Sequence, residues 1–124
     1  MHDSNCFLTL TYDDESLPQF GGLKKSDMQK FFKRLRKKKP KFRYYYCGEY
    51  GDKSQRPHYH ACMFNLHFED QVFWKTENGF DLYTSPTLDD AWHHMGLAVI
   101  GSLTFESAAY TARYILKKQT GKNA

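Results

Sequence analysis

The sequence predicts an α+β domain in which short strands and amphipathic helices alternate and two strands pair as a hairpin. Three observations carry this. Four β-prone runs stand apart along the chain. One segment, Met28, Phe31, Phe32 and Leu35, has the i, i+3, i+4, i+7 spacing of a helix with one buried face. Between the second and third runs, Tyr50 to Pro57 is dense in turn formers, as a hairpin connection requires.

The first run, Phe7-Leu8-Thr9-Leu10-Thr11-Tyr12, is short and rich in β-formers, and an acidic turn follows it. Leu17 to Gly22 is a loop. Ser26 and Gln29 have capping-box spacing and mark the start of the first helix. Lys30, Lys33, Arg34 and Lys37 lie mainly off its apolar stripe, and Pro40 closes it. Phe42 to Glu49 is the second strand and His58 to Phe64 the third. Leu66 to Thr84 is poorly patterned and reads as an insertion. Ser85-Pro86 gives an N-cap followed by proline at the first helical position, opening a short helix to about His94. Leu97 to Leu103 is the fourth strand. Thr104 can cap a last helix to about Lys118, with Glu106 in its first turn and Gly121 in the tail.

At 124 residues the chain suits one domain, residues 1–124. A hydrophobic content of 40% with 17% aromatics argues against disorder. No apolar run approaches the ~18 residues of a membrane span, so no membrane partner is expected. The start lacks a basic-then-apolar signal pattern. Cys6, Cys47 and Cys62 are an odd number without C-x-x-C spacing, which fits structural thiols in a reducing compartment.

Net charge is +4, but it is unevenly placed. Residues 24–43 hold eleven Lys or Arg against Asp27 alone, so this stretch is +10 and the rest of the chain −6. Such asymmetry fits a polyanion-binding surface, with Lys33, Arg34, Lys37, Lys41 and Arg43 as candidate contacts. It also fits a solvated helix face followed by a basic loop.

The strongest local signal is Pro57-His58-Tyr59-His60. Side chains alternate along a strand, so His58 and His60 share a face and Tyr59, Ala61 and Met63 take the other. If the hairpin closes symmetrically, Glu49 stands opposite His58, with Cβ atoms within about 5.5 Å. One carboxylate and two imidazoles suit Mg²⁺ or Mn²⁺, and also Zn²⁺, with positions left for water or a phosphate oxygen. A hydrogen-bonded His/Glu pair on a sheet is the alternative. Glu49 shares its face with Cys47 and Tyr45, so among Tyr44, Tyr45, Tyr46 and Tyr50 the phenol of Tyr45 is the expected neighbour of the site.

In the last helix Tyr110 and Tyr114 are four apart and share a face, with Lys117 one turn beyond Tyr114. Such a pair fits an amphipathic core stripe. It also fits nucleophiles on phosphorus, activated by Lys117, Arg113 or a metal-polarised phosphate, because a free phenol has a pKa near 10. His93 and His94 could touch phosphate but read as surface residues.

Phe7 to Tyr12, Cys47-Gly48-Glu49-Tyr50-Gly51, Arg56-Pro57-His58-Tyr59-His60 and Tyr110 to Lys118 occur in the order seen in HUH endonucleases, the rolling-circle replication initiators. The chain most resembles initiators of the Microviridae, small single-stranded DNA phages, particularly the gokushovirus group. The resemblance covers essentially the whole chain and implies an HUH nuclease-like fold: a central antiparallel sheet of about four to five strands with flanking helices. It implies a nicking and joining enzyme in which tyrosine attacks the scissile phosphate, leaving a 5′-phosphotyrosine and a free 3′-OH. By position, Glu49, His58 and His60 match the metal ligands. Tyr110 and Tyr114 match a two-tyrosine nucleophile motif, and Lys117 its accompanying lysine. Lys33, Arg34, Lys37, Lys41, Arg43 and Arg113 would contact DNA. The implied cofactor is Mg²⁺ or Mn²⁺. The implied partner is single-stranded DNA at a viral origin, with host replication proteins as candidate further partners. The implied location is the bacterial host cytoplasm. Relatives of this kind carry sequence upstream of the first strand, so the chain reads as a domain lacking that part or as a short member. A non-catalytic single-stranded nucleic-acid-binding module and a metal-dependent hydrolase using water are the competing functions.

Overall fold

A computed structural model describes residues 4–17, 24–50, 57–109 and 111–112. The strands are β1 (Asn5–Thr11), β2 (Arg43–Tyr50), β3 (Pro57–Phe64), β4 (Val72–Glu77), β5 (Phe80–Thr84) and β6 (Ala98–Gly101). The helices are α1 (Lys25–Lys38) and α2 (Pro86–Ala91), with a 3₁₀ turn at Asp14–Ser16. Residues 105–109 and 111–112 are also helical. The strands form one antiparallel sheet in the order β2-β3-β1-β6-β5-β4.

Alternation in β1 decides which face is covered. Cys6, Leu8 and Leu10 are buried while the residues between them are not. The same parity in β3 buries Tyr59, Ala61 and Met63. Against this face α1 lays Met28, Phe31, Phe32 and Leu35, all buried as the helical spacing requires. Full burial of such a side chain contributes roughly 1.5–3 kcal/mol. Trp92, directly after α2, fills the centre of the layer. Its ring centroid lies 5.3 Å from that of Tyr12, 5.8 Å from Phe31 and 6.0 Å from Tyr59. Its Nε1 donates to the Thr11 carbonyl at 2.7 Å. Both α1 and α2 therefore pack on one face of the sheet, and Thr9, Cys47, Glu49, His58 and His60 belong to the other.

The sheet has six strands, against the four to five expected. The difference lies in residues 66–84, which are not an irregular insertion: β4 and β5 form a hairpin that extends the sheet beyond β6. Its connection is Asn78-Gly79, both at positive φ (54° and 83°), the two-residue turn that the right-handed twist of a hairpin favours. The pattern concealed it because β4 is an edge strand exposed along its whole length, so no apolar alternation marks it.

Two helix boundaries also differ from expectation. The N-cap of α1 is Lys24, not Ser26, and no side chain caps it. A tertiary contact sets this start: Lys24 N donates to the Tyr59 hydroxyl at 2.8 Å. The Tyr12 hydroxyl, 3.1 Å from that of Tyr59, donates to Asp27 Oδ2 in the first turn. α2 ends at Ala91, short of His94, because His93 and His94 both adopt positive φ. Its N-terminus is as expected: Ser85 Oγ accepts from Leu88 N at 3.1 Å, with Pro86 first in the helix. Thr104 likewise caps the last helical segment, with Thr104 and Ser107 exchanging backbone-to-side-chain hydrogen bonds.

Candidate metal centre

The β2–β3 pairing sets Glu49 directly opposite His58 and Cys47 opposite His60. Strand parity points all three potential ligands to the face away from α1. His58 Nε2 lies 3.5 Å from Glu49 Oε2, and His60 Nε2 3.7 Å from Glu49 Oε1. One donor atom from each residue fits within a 4.8 Å span. Donors about 2.1 Å from an ion at roughly 90–109° lie about 3.0–3.4 Å apart, so small side-chain adjustments bring this set around a divalent cation. Two neutral nitrogens and one carboxylate leave net positive charge on such an ion. The mixed N/O set suits Mn²⁺ better than Mg²⁺, which prefers oxygen ligands. The residues present therefore fit the metal that the sequence implies.

The cluster is half-sheltered: the side chains of Glu49, His60 and His58 are 12%, 16% and 21% exposed. Burial, then the neighbouring His58, push the His60 pKa down to about 4, against the opposing pull of Glu49. The His60 ring is therefore neutral at physiological pH, the form that ligates metal. Thr9 Oγ1 on β1 lies 3.3 Å from His60 Nδ1. When Nδ1–H donates to it, the Nε2 lone pair is presented to the Glu49 side. Phe7 stacks on the His60 ring with centroids 5.3 Å apart and planes 16° from parallel. Thr9 and Phe7 escaped sequence reasoning because their contact with His60 depends on the β1–β3 pairing.

Tyr45 lies on this face as expected, but its hydroxyl is engaged, donating to the Ala108 carbonyl at 3.0 Å. Burial and a contact with Cys62 push its pKa up to about 12, so it acts as an anchor for the last helical segment. Thr111, one turn on, is fully buried and donates to the Ser107 carbonyl. This segment thus closes over the ligand-bearing face. Tyr110, Tyr114, Lys117 and Arg113 lie outside the described residues.

The candidate DNA contacts divide between the two faces. Lys33 and Lys37 are exposed on α1, across the sheet from Glu49, His58 and His60. Arg34 is committed to packing: its Nε donates to the Ala91 carbonyl at 2.7 Å, joining α1 to α2. Arg43 shares the parity of Glu49 in β2 and is exposed. Lys41 is exposed in the connection before that strand. His94 is paired with Asp90 at 2.8 Å on the surface.

Residues 5–119 match the model of the replication-associated protein ORF2 family. The chain belongs to that family. It is 43% identical over 128 residues to replication-associated protein VP4 of Bdellovibrio phage phiMH2K, covering 95% of this chain and 40% of that protein. It is 40% identical over 125 residues to replication-associated protein ORF2 of Spiroplasma virus 4, covering 92% and 38% respectively. Replication-associated protein ORF4 of Chlamydia phage 1 is 31% identical over 137 residues, covering 94% and 31%. The chain thus spans about two-fifths of the length of the first two relatives. No solved structure matches it.

Proposed function

We propose that this chain is the nicking and joining unit of a phage replication initiator, acting on single-stranded DNA at the viral origin. The observation that carries the reading is the Glu49, His58 and His60 cluster, set on one sheet face by strand register, in a family named for replication. A divalent cation held there supplies charge neutralisation for a scissile phosphate. Glu49 and the two imidazoles hold the ion, and Thr9 and Phe7 fix the His60 ring. Tyr110 or Tyr114 attacks phosphorus, forming the phosphotyrosine ester as the P–O3′ bond breaks and the 3′-oxygen takes up a proton. Lys117 stabilises the charge developing at the reacting oxygens. A second tyrosine allows one to hold the first DNA end while the other cuts after a round of synthesis. The stored phosphodiester energy drives rejoining without ATP. Mg²⁺ or Mn²⁺ is the cofactor, and the site of action is the bacterial host cytoplasm, where host replication proteins would extend the freed 3′-OH.

The test is a denaturing gel of labelled single-stranded DNA containing phage origin sequence, incubated with protein and Mn²⁺ or Mg²⁺. The expected result is an SDS-resistant adduct abolished by EDTA, by His58→Ala with His60→Ala, and by Tyr110→Phe with Tyr114→Phe. Cleavage surviving in the double tyrosine variant would replace tyrosine attack with water attack. Salt-dependent binding without adduct or cleavage would make the chain a binding module.

A further inference from the structure

Beside the metal cluster the ligand-bearing face opens into a cavity of about 480 Å³, within the roughly 300–1,000 Å³ of small-ligand sites. Its apolar surface comes from Phe7 on β1 and from Phe80 and Leu82 on β5. Its polar rim includes Glu77 from β4 and Glu106 from the last helical segment. His60 lines it too, so cavity and metal cluster share a wall.

The chemistry of the lining selects the occupant. The described lining holds two carboxylates and no Lys or Arg. Lys75, the nearest cation in the hairpin, is paired with Glu77 at 3.4 Å and is not part of the lining. Phosphate is therefore repelled from this cavity, while a flat apolar ring is accepted against Phe7 and Phe80. Carboxylates accept hydrogen bonds from exocyclic amino groups, as on cytosine N4 or adenine N6, and thymine has none. Phe7 also stacks on the His60 ring, which places a base held there within about one nucleotide of a phosphate at the metal.

We propose that this cavity is a nucleobase pocket that takes an amino-bearing base flanking the cleaved phosphodiester and discriminates against thymine. The pocket rests on the reading of this face as a DNA-cutting site. Exposed Phe80 and Glu106 confer the selectivity, and the β4–β5 hairpin supplies one wall of the pocket.

Two measurements test it. In the first, the protein is titrated with deoxycytidine, deoxyadenosine or thymidine while the backbone amides of Phe80, Gly101 and Ser102 are followed by NMR. Saturable shifts with the first two nucleosides, and at least tenfold weaker binding of thymidine, are expected. Phe80→Ala should abolish the shifts at Gly101 and Ser102, and Glu106→Gln should bring thymidine within threefold of deoxycytidine. No saturable shift with any nucleoside, or equal affinity for all three, overturns the pocket. In the second, the protein with Mn²⁺ cleaves a single-stranded pool randomised around a cleavable origin. Thymine should be depleted at least tenfold at one position flanking the nick, and Glu106→Gln should relax that position alone. Depletion of thymine that Glu106→Gln leaves unchanged assigns the preference elsewhere and overturns the proposal. Absence of any cleavage by the wild-type protein counts against the DNA-cutting reading, while the nucleoside titration decides the pocket independently.

Discussion

The His60 ring is the most constrained part of the cluster, held by Phe7 on one side and by Thr9 at Nδ1. Its pKa, pushed down to about 4 by burial, gives the metal-free protein a defined acid response. The unfolded chain protonates this imidazole near 6.5, so between pH 6.5 and 4 the unfolded state binds more protons. The stability contribution is complete above 6.5 and declines as pH falls to about 4, by roughly 3 kcal/mol in all. Urea midpoints measured in EDTA across this range should show the decline, and His60→Gln should flatten it. Thr9→Val removes the partner of Nδ1 with little change of shape, and should weaken Mn²⁺ binding by about tenfold or more in calorimetric titration while the thermal midpoint stays nearly fixed. The ligands themselves were legible in the sequence because two local rules suffice to place them: strand parity for His58 and His60, and hairpin symmetry for Glu49. Thr9 was not, because β1 and β3 lie about fifty residues apart and nothing local states that they pair.

Elements meet most tightly where the chain leaves α2 and enters β6. Thr11 N donates to the Leu97 carbonyl at 3.0 Å and Asp13 N to the Met95 carbonyl at 2.7 Å, carrying the β1–β6 pairing past the ends of both strands. Gly96 lies between these bonds. A Cβ there would stand 2.2 Å from the Thr11 carbonyl oxygen and 2.7 Å from the Tyr12 Cα, and neither is a side chain that can turn away. Gly96→Ala should therefore cost about 3 kcal/mol or more. Chemical denaturation would reveal this, and Gly79→Ala, which meets no neighbouring atom but retains a positive φ, should cost about 1 kcal/mol. A glycine after a short helix is visible in sequence as a terminator, but its contact with another strand is not. The β4–β5 hairpin shows the opposite failure. Asn78-Gly79 was a sufficient local signal, and the exposed, unpatterned flanks of an edge strand obscured it.

At the scale of the whole molecule, the sheet separates charge from chemistry. The basic stretch 24–43 was legible in composition, yet only pairing and packing show that most of it, on α1, covers the face opposite the metal cluster. A short strand seated at Glu49, His58 and His60 cannot also contact Lys33 and Lys37 through the thickness of the sheet. Those cations can meet only a more distant part of a long DNA. Neutralised phosphates release counterions, with an affinity slope of about 0.7 per contact for single strands. Lys33→Glu with Lys37→Glu should therefore leave cleavage of an origin oligonucleotide about a dozen nucleotides long within twofold of wild type. The same variant should weaken binding to single-stranded DNA of a hundred nucleotides or more, with a log affinity against log salt slope shallower by about 1.4. Arg43→Ala, on the ligand-bearing face, should instead weaken binding to short and long DNA alike. Fluorescence anisotropy across a salt series distinguishes the two patterns. If the α1 variant impaired the short substrate as strongly as the long one, the two faces would not act separately, and the path of DNA across the sheet would have to bring α1 to the cut.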